Sequence, residues 1–105
     1  MFAVIQKQQA ASYEFPYSAF PCETYEEAQE FRKDCLTYTD EVLQSVREMG
    51  NPNATEEEVR QYVENQKIGI ITCDLYEKLY ATYFSNPEKR TLIVNALDKL
   101  ISNFN

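Results

Sequence analysis

The side chains that could do chemistry in this chain of 105 residues are chiefly carboxylates. Aspartate and glutamate number 17 against ten lysines and arginines, there is no histidine, and the formal net charge is −7. A surface of this sign repels phosphate groups, so we expect no direct binding of nucleic acid or of an anionic membrane. The same surface attracts cations, so we expect a basic protein partner.

The carboxylates are concentrated in the middle of the chain. Residues 23–66 hold 12 acidic and four basic residues, whereas the other 61 residues hold five acidic and six basic ones. Six of the acids recur at steps of four, three, four, seven and seven residues, which places them along one side of a helix. They are Glu23, Glu27, Glu30, Asp34, Glu41 and Glu48. From the second to the last of them the row would extend about 31 Å at the rise of an α-helix.

A row of this length could imitate the phosphates of a nucleic acid. We therefore expect a small, non-enzymatic inhibitor that occupies the basic groove of a nucleic-acid-processing protein, with Glu56 and Glu57 adding to the contact. The alternative is an ordinary solvated helix face, which Arg32, Lys33 and Arg47 would partly neutralise.

Aromatic residues suggest a second function. The chain has eight tyrosines and six phenylalanines but no tryptophan, and tyrosine is favoured at protein interfaces. A tyrosine-rich surface could join copies of the chain into a homodimer or scaffold. The residues of this candidate surface are Tyr13, Phe15, Tyr17, Tyr76, Tyr80 and Tyr83. The alternative is that these rings pack the N-terminal segment onto the last two helices.

A third hypothesis, a thiol or carboxylate enzyme, has little support. The chain has no histidine to activate a nucleophile, and Cys22, Cys35 and Cys73 include no C-x-x-C pair. Cys73 has a first-turn position that favours a thiolate, but no base accompanies it. We expect no catalytic residue, no cofactor and no metal site. The cysteines do not form the pattern of a disulfide framework, and the N-terminus lacks the features of a secretory signal. We therefore expect a cytoplasmic protein.

The elements that would position these groups begin with an extended segment. The composition predicts one domain over residues 1–105, with residues 1–20 extended or folded as a β-hairpin. Residues 2–7 favour a strand, which could pair with the aromatic alternation of residues 13–19 across a turn at residues 8–11.

Four helices are expected after this segment, over residues 24–49, 55–66, 72–84 and 87–104. Threonine caps begin the first three, and a turn of about two residues should make the last two an antiparallel hairpin. Thr37, Tyr38 and Thr39 are the weak point of the first helix, since β-branched residues could bend or break it. The fold class is therefore mainly α. The alternative is α+β, with residues 66–72 as a further strand.

Overall fold

A computed structural model describes residues 1–8 and 14–104 of the chain. Within these residues the protein is α+β, with three strands, five α-helices and one 3-10 turn. The strands are β1 (Phe2–Lys7), β2 (Tyr17–Cys22) and β3 (Ile68–Thr72). The helices are α1 (Tyr25–Cys35), α2 (Asp40–Glu48), α3 (Glu56–Glu64), α4 (Cys73–Ser85) and α5 (Arg90–Ser102), with the 3-10 turn at Pro87–Lys89.

The chain divides into two compact units. The first, Met1–Arg32 with Lys67–Asn105, contains the sheet and is called the sheet unit below. The second, Lys33–Gln66, contains α2 and α3 and is called the acidic unit, because it holds eight acidic and three basic residues.

The sheet has the strand order β2-β1-β3, and both pairings are antiparallel. Val4 lies opposite Phe20 on one side and opposite Ile70 on the other, so these three side chains share one face. The predicted hairpin is therefore confirmed, but its second strand is residues 17–22 rather than 13–19. Residues 9–13, which include most of the expected turn, lie outside the described residues.

One face of the sheet is covered by α4 and α5. Ala3 and Ile5 of β1 and Ile71 of β3 form a core cluster with three α5 residues at a spacing of four. Those α5 residues are Ile93, Leu97 and Ile101, all almost fully buried. Helices α4 and α5 contact each other and are joined by the short segment of residues 86–89, which is consistent with the predicted helical hairpin.

The opposite face of the sheet is covered by α1. The Phe2 ring meets Tyr25 edge-on, with centroids 5.4 Å apart, and Phe20 stacks on Phe31 at 4.2 Å. The Arg32 Nε donates a 2.8 Å hydrogen bond to the Ile68 carbonyl. The middle of β1 and most of β3 are therefore buried on both faces, whereas residues 18–21 of the edge strand β2 stay exposed.

This double burial explains why residues 68–72 form a strand. A strand covered on both faces needs a continuous apolar run rather than alternation, and Ile68, Ile70 and Ile71 supply it with β-branched side chains. Gly69 lies in this run, where an added Cβ would be 3.1 Å from the Ile101 Cα. The predicted class, mainly α or α+β, fits in its α+β form, but the expected count of four helices is wrong, because the described residues contain five α-helices.

The predicted helix over residues 24–49 is two helices. Bonds from the Leu36 and Thr37 amides to the carbonyls three residues earlier tighten the end of α1. The Thr39 hydroxyl then accepts a 3.2 Å hydrogen bond from the Val42 amide and begins α2. The suspected weak point at Thr37–Thr39 is where the break occurs.

Candidate functional site

The acidic residues of the sequence hypothesis all have exposed side chains, on three different helices and at Glu23. Glu27, Glu30 and Asp34 follow one another at steps of three and four within α1, so they share one side of that helix. Thr24 caps α1 through the Glu27 amide, and the Glu27 carboxylate accepts a 3.3 Å bond from the Glu23 amide. The Thr24 cap therefore begins α1, and the Glu27 carboxylate reaches back to the amide one residue before the cap rather than to the cap itself.

The other members lie in the acidic unit. Glu41 and Glu48 are seven residues apart on α2, and Glu56 and Glu57 lie in the first turn of α3, which Thr55 caps. The helix dipole favours acids at that end, so part of this charge has a structural reason.

The break between α1 and α2 overturns the continuous row of carboxylates. A single helix was needed to align Glu27 with Glu48 over about 31 Å, and residues 37–39 interrupt it. The acidic residues instead form one group on α1 and a second on α2 and α3.

The cations of residues 23–66 mostly bind other groups. Arg32 donates to the carbonyls of Ile68 and Phe104, and Arg47 donates to the Ala54 carbonyl at 3.0 Å. Arg60 pairs with Glu56 at 2.9 Å and lies 3.9 Å from Glu64, and the hydrogen bond that Arg60 donates to Glu56 raises the pKa of Arg60. The other seven candidate carboxylates form no ion pair with any described residue. Among residues 1–8 and 14–104, Arg32, Lys33 and Arg47 form no direct ion pair with these carboxylates, although all three keep their positive charge.

Beside the α2 and α3 carboxylates lies a groove that the sequence did not predict. It has a volume of about 560 Å³ and is lined by apolar residues of both helices and of the turn between them, with one charged residue, Glu58. Its other lining residues are Val46, Met49, Gly50, Asn51, Ala54, Val59 and Tyr62. Met49 is 86% exposed and Tyr62 is 62% exposed. A weak apolar stripe on α3 was the available signal, but spacing alone does not distinguish a buried side chain from an exposed one.

Two residues of the candidate tyrosine-rich surface are core, and two more, Tyr76 and Tyr83, pack half-buried against that core. Phe15 is buried and meets the rings of Tyr76, Tyr80 and Tyr83 within 6 Å, and Tyr17 is buried beside it. The Tyr83 hydroxyl donates to the Glu14 carbonyl at 2.6 Å. Tyr80 is 44% exposed, and Tyr13 lies outside the described residues. The rings thus fasten the N-terminal segment to α4, as the packing alternative requires.

Two of the three cysteines, Cys22 and Cys35, have thiols that their surroundings make less acidic. Burial raises the pKa of Cys22, with Glu27 and Cys73 raising it further, and burial together with Asp34 raises the pKa of Cys35. Both shifts reduce the thiolate fraction. Cys73 is half-buried in the first turn of α4.

One polar cluster in the sheet unit joins its first and last elements. Asp98 of α5 accepts hydrogen bonds from the Lys7 ammonium at 2.7 Å and from the Tyr17 hydroxyl. Burial raises the pKa of Tyr17, and its bond to Asp98 raises it further. Burial also acts to raise the pKa of Asp98, but Lys7, Tyr17 and Lys67 outweigh it, and the net effect is a lowered pKa.

Nowhere in residues 1–8 or 14–104 is a group of three or more cysteine, aspartate or glutamate side chains arranged to hold a metal ion. No helix in this part of the chain combines the length and apolarity needed to cross a membrane.

No protein-family model matches the chain, no curated protein is significantly similar to it in sequence, and no solved structure is significantly similar to it in fold.

Proposed function

We propose that this chain is a small, non-enzymatic protein-binding module that presents the acidic residues of α1, α2 and α3 to a basic protein. Seven exposed carboxylates, Glu23 and six on these helices, carry the proposal, because none of them is ion-paired to a residue in the described part of the chain. A basic surface that normally binds nucleic acid has the complementary charge, and occupying it would inhibit that protein. The three free cysteines suit a reducing, cytoplasmic setting.

The proposal is tested by capture from an extract of the source cells, with the purified full-length chain immobilised. Capture of a nucleic-acid-binding protein should weaken steeply between about 0.05 M and about 0.3 M salt, because the screening length falls to about 10 Å at 0.1 M. Added nucleic acid should compete for the captured protein.

A charge-reversal variant locates the contact. Glu30→Lys, Asp34→Lys and Glu41→Lys together should abolish capture. A matched control, Glu14→Lys with Glu77→Lys and Glu88→Lys, changes the net charge equally at exposed positions outside residues 23–66. The control should keep capture. If both variants lost capture equally, net charge rather than these carboxylates would explain the binding. If the first variant kept capture, the proposal would be refuted.

A second candidate function is self-association, and the edge strand β2 favours it. Residues 18–21 of β2 are all exposed, the strand has no charged side chain, and Phe20 is 50% exposed. An uncharged edge strand can pair with a second copy, although Pro21 lacks an amide donor and shortens the usable edge. Sedimentation at high concentration should then show a dimer, and Phe20→Lys should give a monomer. A wild-type chain that stays monomeric would exclude this candidate.

A further inference from the structure

The groove of the acidic unit joins apolar contact area to negative charge, a combination typical of sites for amphipathic segments. Met49 at the end of α2 and Tyr62 on α3 leave most of their side-chain area in water, although α2 and α3 pack through a core of Ala54, Val59 and Val63. A single exposed apolar residue needs no explanation, but two on the rim of one groove form a patch that a partner could bury.

The size of the groove limits what can occupy it. At about 560 Å³ it is large enough for a few apolar side chains, within the range of protein ligand sites. A helix that lays one apolar face into such a groove contributes side chains at positions i, i+3 or i+4, and i+7.

The charge around the groove selects the occupant. Glu58 is its only charged lining residue, and Glu56 and Glu57 precede it in the first turn of α3. Two arginines adjoin the groove residues in the sequence: Arg47 donates to the Ala54 carbonyl and Arg60 pairs with Glu56. Glu57 and Glu58 are therefore the carboxylates of this turn without an ion pair to a described residue. An acidic apolar segment would meet repulsion here, whereas lysines or arginines flanking an apolar anchor would meet opposite charges.

We propose that the groove between α2 and α3, lined by Val46, Met49, Ala54, Val59 and Tyr62, binds an amphipathic helix of the partner whose apolar face is flanked by lysine or arginine. This inference rests on the proposed function and gives its partner a more specific chemistry. The carboxylates would supply attraction and orientation, and the groove would supply the anchor.

The test uses the full chain and a synthetic helix of leucine and lysine, with the leucines on one face. The chain has only two methionines, so methyl-labelled protein gives two assignable signals in an NMR titration. The Met49 signal should move on addition of the peptide. Met1, which is also exposed at 67%, should not move and reports non-specific contact. A peptide with serine in place of leucine, and one with glutamate in place of lysine, should leave Met49 unchanged.

Two variants measure the contribution of the groove. Tyr62→Ser should weaken binding of the leucine–lysine helix about tenfold, as expected for an anchoring aromatic residue, without changing its salt dependence. The matched control is Leu92→Ser, which removes a 65% exposed apolar side chain of α5 in the sheet unit and should bind as the wild type does.

The outcomes separate this inference from the proposed function. Suppose that the peptide binds with the expected salt dependence while the Met49 signal stays in place or the Met1 signal moves equally. Either result would refute the groove proposal without contradicting the proposed function of the acidic residues. Equal weakening by Tyr62→Ser and Leu92→Ser would also overturn the groove. A leucine–lysine helix that does not bind at any salt concentration would refute the groove proposal, whereas the proposed function is decided by the capture experiment and its charge-reversal variant.

Discussion

The side chains of α5 show how far neighbouring residues can differ in their contribution to stability. Leu97 is fully buried against the sheet, whereas Leu92 is 65% exposed on the same helix. Deleting buried methyl groups removes their burial energy and leaves a cavity.

We predict that Leu97→Ala lowers the free energy of unfolding by about 3 kcal/mol. The same change at Leu92 should lower it by less than about 0.5 kcal/mol. Urea unfolding followed by circular dichroism measures both. Similar losses in the two variants would show that α5 does not face the sheet through Ile93, Leu97 and Ile101.

Asp98 should make stability depend on pH. Because its pKa is lower in the folded chain than in the unfolded chain, its contribution is present above the unfolded pKa of about 3.9 and is lost as the pH falls through the folded pKa. Asp98→Asn should therefore lower the urea midpoint at pH 7 and reduce its further fall below about pH 4. The control is Glu77→Gln, an exposed carboxylate on α4. A midpoint profile for Asp98→Asn that runs parallel to the wild type would contradict this prediction.

At the scale of elements, the caps decide where helices begin. Thr39, Thr55 and Thr72 each accept a hydrogen bond from the amide three residues later, at 3.2 Å in every case. The last two were predicted from the sequence. Thr39 was missed because the apolar spacing of three, four and seven residues continues across the break, although the acids after it are typical of a first turn.

We predict that Thr39→Ala destabilises the protein by about 1 kcal/mol, because the Val42 amide loses its capping acceptor. Thr39→Asp should keep most of the stability, since aspartate is an equally good cap. Chemical denaturation of the three proteins gives the measurement. If alanine and aspartate had the same effect, the cap would not be the reason for the start of α2.

At the scale of the whole molecule, the strand β1 of the sheet unit contains more buried residues than the helix α2 of the acidic unit. Strand β1 has three consecutive residues at or below 4% exposure, Ala3, Val4 and Ile5. Helix α2 has no fully buried residue. Local opening free energies follow buried contacts, so the units should not be protected equally.

We predict that amides of β1 exchange with solvent at least about tenfold more slowly than those of α2. Hydrogen–deuterium exchange with peptide-level mass spectrometry at neutral pH resolves the two segments. Equal protection would mean that both units open only together, by global unfolding.

The sequence by itself determined the features that depend on neighbouring residues. These are the caps at Thr24, Thr55 and Thr72, the helical hairpin at the end of the chain, and the concentration of carboxylates in residues 23–66. Each follows from side chains within one or two turns of each other, whose spacing is visible in the sequence.

Only the tertiary structure decided whether residues 68–72 form a strand and whether a given apolar side chain is buried or exposed. Residues 68–72 became a strand because β1 offered hydrogen bonds and helices covered both faces. Phe15 became core because α4 placed its tyrosines around it, and Met49 remained exposed at the groove. Strand pairing and burial depend on residues distant in the chain, so spacing could indicate an apolar side chain but not what would cover it.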